Sequence, residues 1–198
     1  MREDSVASHI VADAWLDFAS LSSYLQLNAF RRALRESAIT DKVITHPRAF
    51  FNMSHMSTQA VEQARAAGIS IAEDLPSLDT HLAHRLVAGL DDDTPGPDSL
   101  ALKVAEGIMR SYFELGLDIG RNETLISIAQ DFGVSAERTQ EILANPALTS
   151  LVEEAYTLAL HLGAIEAPIF LFDEQFLAQA VTEEDFLAVL TTLQENPQ

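Results

Sequence analysis

Cysteine is missing from all 198 residues. For these residues that excludes a disulfide, a thiolate nucleophile and a thiolate-ligated metal. Basic side chains are scarce as well: 12 lysines and arginines stand against 30 aspartates and glutamates, a formal charge of -18. Such a surface repels phosphate backbones and anionic lipid at long range, so neither nucleic acid nor a membrane is expected as a partner. No run approaches the roughly 20 apolar residues that span a bilayer. The opening MREDSVASH places acids where a secretory signal carries bases, and no apolar stretch follows, so a cytoplasmic protein is expected. No internal repeat is visible.

What remains is a core-forming composition, 47% hydrophobic and 21% charged. It suffices for one sizeable core, or for a domain carrying a large insertion. Residues 9–18 read as a strand whose apolar positions do not alternate cleanly, which suits an inner position covered on both faces. The serine-rich DFASLSSYL, residues 17–25, then hands over to a helix marked by Tyr24, Leu27, Phe30 and Leu34. Ser22 and Ser23 are expected to cap it, and Arg31 and Arg32 to fall on its outward face. Residues 42–51 form a second strand, which Pro47 assigns to a sheet edge or a strand end.

Helices are expected near 57–67, 77–90, 99–116, 122–132, 135–144 and 147–162, with Gly68, Gly116, Gly133 and Gly163 closing four of them in the left-handed conformation. In the third, Leu102, Ala105, Met109, Tyr112 and Phe113 share a face; in the last, Leu148, Leu151, Val152, Ala155, Leu158, Ala159 and Leu162 do. PIFLF and QFLAQ then read as a hairpin turning at Asp173-Glu174. Thr182 and Asp185 open a final amphipathic helix as a capping-box variant. The order β-α-β, helices, β-β-α predicts an α/β sheet built from both chain ends around a helical insertion.

Several polar groups invite chemistry and are outweighed by plainer roles. His81 and His84 are spaced like metal ligands, but no adjacent acid completes a zinc-type signature, so a histidine that caps or bridges helices is expected and no metal site. Asp91, Asp92 and Asp93 lack the alternation of a calcium loop and read as a solvated acidic loop. Glu166 stands beside a proline without an identifiable partner for acid or base work. His46 and His55 do not form a triad with Ser20 that spacing can support.

With its motifs in order along nearly the whole chain, the sequence resembles the DsbA-like branch of the thioredoxin superfamily, most of all its cytoplasmic FrnE-like group. There the first strand ends in an Asp-Phe-x-Cys-Pro-Trp-Cys-Tyr-Leu type of motif. Here Asp17, Phe18, Tyr24 and Leu25 keep the frame, while Ser20 and Ser23 occupy the cysteine positions and Leu21-Ser22 the pair between them. TxxAHRL recurs as Thr80, Ala83, His84, Arg85 and Leu86, and SYFELGLDIG at 111–120 matches a second family pattern. Ala167-Pro168-Ile169-Phe170 matches the Val-Pro-x-Phe motif, whose proline is cis in that family. The Ser-Gly-Ala-Gln stretch is not kept; Gln179-Ala180-Val181 stands nearby. The opening motif is similar also to the Ser-Pro-Tyr-Ser-Tyr-Leu of 2-hydroxychromene-2-carboxylate isomerases and kappa-class glutathione transferases, with Ser20 on the serine that activates glutathione.

The resemblance implies a thioredoxin fold from residues 1–56 and 164–198 with a helical domain, 57–163, between. It implies a groove in which Ser20, Ser22 and Ser23 face Ala167 and Pro168, the residue before the proline pairing with an extended peptide or a small thiol. Serine keeps the shape and loses the redox chemistry, because a hydroxyl forms no disulfide and holds its proton near neutral pH. Two readings follow. One is a family member that has lost dithiol exchange, needs no cofactor and works by binding. The other is a thiol-dependent isomerase or transferase in which Ser20 steadies the thiolate of glutathione or a related thiol. A homodimer is compatible with the superfamily, although the sequence displays no exposed apolar stripe to build one.

Overall fold

The computed structural model describes residues 9–51, 56–77, 79–178 and 182–195; Gln179-Ala180-Val181 and His55 lie outside them. Strand β1 (Ile10–Leu16) leads through a tight turn into helix α1 (Leu21–Glu36) and then strand β2 (Val43–Ala49). Helices α2 (Thr58–Ala66), α3 (His81–Leu90), α4 (Leu100–Phe113), α5 (Asn122–Asp131), α6 (Ala136–Ala144) and α7 (Pro146–His161) follow. Strands β3 (Ile169–Phe172) and β4 (Phe176–Ala178) and helix α8 (Glu183–Glu195) complete the order. This is the thioredoxin-like α/β arrangement expected, a small mixed sheet with helices inserted between its halves.

The sheet has the order β2-β1-β3-β4. β1 runs parallel to β2 and antiparallel to β3, as a helical crossover and a long return require. β2 lies at the edge, where Pro47, in register with Ala14, removes no inner ladder bond. The β3–β4 hairpin turns at Asp173 and Glu174, with φ of 47° and 57°. Positive φ at both central residues is the twist that hairpins prefer. The Asp173 side chain also accepts the Val11 N–H at 2.8 Å, lengthening the β1–β3 ladder.

Each face of β1 meets a different layer. Ala12, Ala14 and Leu16 face α1 and α8, and the small alanines leave room for Phe170 and Phe172 opposite them. Phe30, Phe170 and Phe186 pack there with ring centroids 4.8 to 5.2 Å apart. Trp15 faces the other way, into a smaller cluster with Phe50, Ala159, Ala167 and Leu171. Its indole N–H donates to the Ala155 carbonyl of α7 at 2.8 Å. Gly116 shows why one helix stop must be glycine: φ is 64° and a Cβ would lie 3.0 Å from the Asp74 carbonyl.

Three expectations change. Arg31 is buried, not outward: it pairs with Asp98 at 3.1 Å and with Glu106, and donates to the Pro97 carbonyl at 2.7 Å. Asp91 is half-buried and accepts from His46 at 2.8 Å, so only Asp92 and Asp93 form a solvated loop. The stripe on α7 is buried only at Val152 and Ala159. Small Ala155 and Ala159 bring the helix onto Trp15, and that orientation turns Leu151, Leu158 and Leu162 out to solvent.

Candidate functional site

The turn that ends β1 is built from its own side chains. Ser20 N–H donates to the Asp17 carbonyl at 3.0 Å, and Ala19 N–H to the Asp17 carboxylate at 2.8 Å. Ser20 is the N-cap of α1, its Oγ accepting the Ser23 N–H at 3.3 Å. Ser23 Oγ in turn accepts the Asp17 N–H at 3.1 Å. The cap expected at Ser22 or Ser23 therefore belongs to Ser20. Ser23 is an interior helix residue with no exposure, and Ser22 is half-buried. The sequence could not select among neighbouring serines because the Asp17 turn, not the serine run, fixes where the helix starts.

Ser20 is itself buried at 6% exposure. A hydroxyl has one donor and two acceptor sites, so an acceptor spent on the cap leaves the O–H able to donate. The first turn of α1 contains no acid, which leaves the positive end of its dipole uncancelled from within the helix. Asp17 opposes it: the carboxylate is 1% exposed and its charge, together with burial as the larger cause, raises the Tyr112 phenol above its ordinary pKa. Tyr24 is raised further, by burial first and by its hydrogen bond to Glu114.

Pro168 stands at the head of β3, and the Ala167–Pro168 peptide is cis. Trp15 and Ile169 are the last pair of the antiparallel β1–β3 ladder, so Ala167 and Pro168 enter β3 at the end of the sheet where β1 finishes. Both segments thus lie at one end of the central strands. Ala167 is buried and Glu166 exposed, with no hydrogen bond or ion pair among the described residues. His84 lies under the turn, stacked on Phe18 with centroids 4.1 Å apart. Burial holds it neutral, its pKa pushed down to about 3. His81 stacks on Phe51, whose ring also meets His84 edge-on at 5.1 Å, so an aromatic ring packs against both histidines. His46 is held by Asp91 beside β2, in register with Asp13. Among the described residues no group of three or more His, Asp or Glu could hold a metal ion.

What sequence reasoning missed is the partner set across elements: the Asp17 turn, Tyr24–Glu114, and the Asp13–Arg48–Asp91–His46 cluster. Asp13, His46 and Arg48 alternate with apolar residues in their strands, but a parallel register is not readable from one strand alone.

A sheet of this order with a helix capped at the end of its first strand and a proline heading the third defines a thioredoxin-like protein. More narrowly, residues 11–191 match the DSBA-like thioredoxin domain, and the chain belongs to that family. The fold is similar to that of a probable DsbA oxidoreductase from Streptomyces coelicolor (22% identity, TM-score 0.76, 96% of this chain and 92% of that one). It is similar also to the cytosolic disulfide reductase DsbM from Pseudomonas aeruginosa with GSH (15%, 0.72, 94% and 100%). A 2-hydroxychromene-2-carboxylate isomerase is a third such structure (12%, 0.62, 93% and 95%). No curated protein matches the sequence. No helix among the described residues is long and apolar enough to cross a membrane.

Proposed function

We propose that this chain is a cysteine-less, FrnE-like cytoplasmic member of its family that binds at the inherited site and performs no dithiol exchange. The observation that carries the reading is Ser20 itself. It keeps the helix-cap position, with its O–H free to donate, at the sheet end where Ala167 and Pro168 lie. An extended peptide pairs along the backbone at Ala167 and receives the Ser20 hydroxyl; Ser22 shapes the lip beside it, and Ser23 holds the turn from within. The chain has no thiol, so no dithiol exchange belongs to this site.

A thiol-dependent isomerase or transferase is the second reading, favoured by the same O–H at a helix N-terminus and by the likeness to DsbM with GSH and to the isomerase. The hydroxyl and the helix end fit a thiolate sulfur; Asp17 counts against it. Its carboxyl lies in the same turn and already takes the Ala19 N–H at 2.8 Å, a donor that a thiolate would need, which places the peptide reading first.

Two measurements test this. Insulin reduction by dithiothreitol should show no acceleration by the protein; acceleration would refute the loss of redox function. Calorimetry with glutathione should show no binding under the first reading, whereas binding at about 1 μM to 100 μM that disappears in S20A selects the second.

A further inference from the structure

α7 touches the sheet through Val152, Ala155, Tyr156 and Ala159, and its flank is left bare. Leu151, Leu158 and Leu162 are 42%, 51% and 54% exposed and fall on one line of the helix. Scattered exposed leucines are ordinary, but an aligned ridge beside a hollow is not. The hollow, about 260 Å³, is lined by Trp15 and Ala155 and bordered by Leu151 and Leu158. Asp13 and Arg48 lie within it and neutralise each other at 2.7 Å. Glu154 and Glu174 border it with no basic partner among the described residues. A shallower depression continues across α7, shares Glu154 and Leu158, and adds Glu153.

Charge selects the occupant. A second copy of the chain would set these carboxylates against their like, and -18 against -18. A segment with apolar residues on one side and lysine or arginine on the other meets both demands: its apolar side chains cover the leucines, and its cations reach Glu153, Glu154 and Glu174. We infer that α7 and the adjoining part of the sheet form a docking surface for a basic, amphipathic protein segment. None of the residues that line the surface belongs to the Ser20 turn, so this inference stands independently of the function proposed above.

The test titrates the full chain with a labelled amphipathic lysine–leucine peptide and with its glutamate–leucine counterpart. Anisotropy of the label reports binding, and the fluorescence of Trp15, the one tryptophan, reports the hollow. The basic peptide should bind, shift the Trp15 emission and weaken as salt rises; the acidic one should not bind. L158D should weaken binding about tenfold or more, and E154Q with E174Q several-fold without touching the apolar ridge. E137Q with E141Q, on α6, should leave it unchanged. The proposal is overturned by absence of binding, by equal binding to L158D, or by an equal loss in the α6 pair, which would mean net charge alone. It is overturned also if sedimentation shows a dimer that L158D dissociates, since the second copy would then be what covers this face.

Discussion

Ser23 has no solvent exposure, and its hydroxyl holds the Asp17 N–H, so what it does is done inside the protein. Deleting that oxygen removes a buried hydrogen bond, at a cost of about 1–3 kcal/mol. Deleting the Ser20 oxygen removes a cap and costs about 1 kcal/mol. Ser22, half-buried inside α1, should change stability by less than about 0.5 kcal/mol on replacement by alanine. Urea unfolding of the three alanine variants checks the order Ser23, Ser20, Ser22; Ser22 as the most damaging site would mean that the cap has been placed on the wrong residue. At this scale the sequence was legible in residue type and not in role. A serine cluster announces a helix start, but which serine caps depends on a turn closed by Asp17 through bonds that sequence spacing does not reveal.

Elements were more legible, because 3.6-residue periodicity and glycine stops act within one segment. Which flank of an element is covered depends on its neighbours, hence the misplaced stripe of α7. α3 shows the same division: a helix was expected there, its link to β2 was not. His84 lies inside it, and Asp91 at its end holds His46. These histidines make opposite contributions to stability against pH. The folded pKa of His84, about 3, is below its unfolded value of about 6.5. Its contribution is therefore complete above about pH 6.5 and is lost as pH falls, by up to about 1.4 kcal/mol per unit. His46 is raised, chiefly by its hydrogen bond to Asp91, so its contribution is complete below about 6.5 and is lost as pH rises through its folded pKa. Asp79 and Asp98 are lowered and add acid sensitivity only where carboxylates protonate, below about pH 4. Between pH 6.5 and 5 the slope thus belongs to His84. H84F, which keeps the stack on Phe18, should flatten that slope by about 1 kcal/mol per unit even if its stability at neutral pH is lower. An unchanged slope in denaturant titrations would remove His84 as its source.

Over the whole molecule, chain order alone suggests two bodies, a sheet made from both ends and helices inserted between. The packing argues that they fold together. One cluster of buried side chains runs from Ala12 and Phe170 of the sheet through Phe30 to Leu125 and Ile142 of the helices. Arg31 adds a polar tie, from α1 to Glu106 of α4 and to Asp98 just before it. Its apparent outward face could not be corrected from the sequence, since the acids that hold it lie more than sixty residues away. Far-UV circular dichroism reports mostly the helices, and the emission of Trp15 reports the sheet. The two should give coincident midpoints in guanidinium, as one cooperative transition requires. R31M preserves the buried stem and strands Glu106, a third exposed, while the well-exposed Asp98 keeps Arg35 at 3.0 Å, so rehydration limits the loss to about 1–2 kcal/mol. At this chain length that lowers the melting temperature by roughly 2–8 °C, and both probes should move by the same amount. Were the fluorescence midpoint to shift while the dichroism stayed in place, the sheet and the helices would be separate folding units and the shared core would not bind them into one.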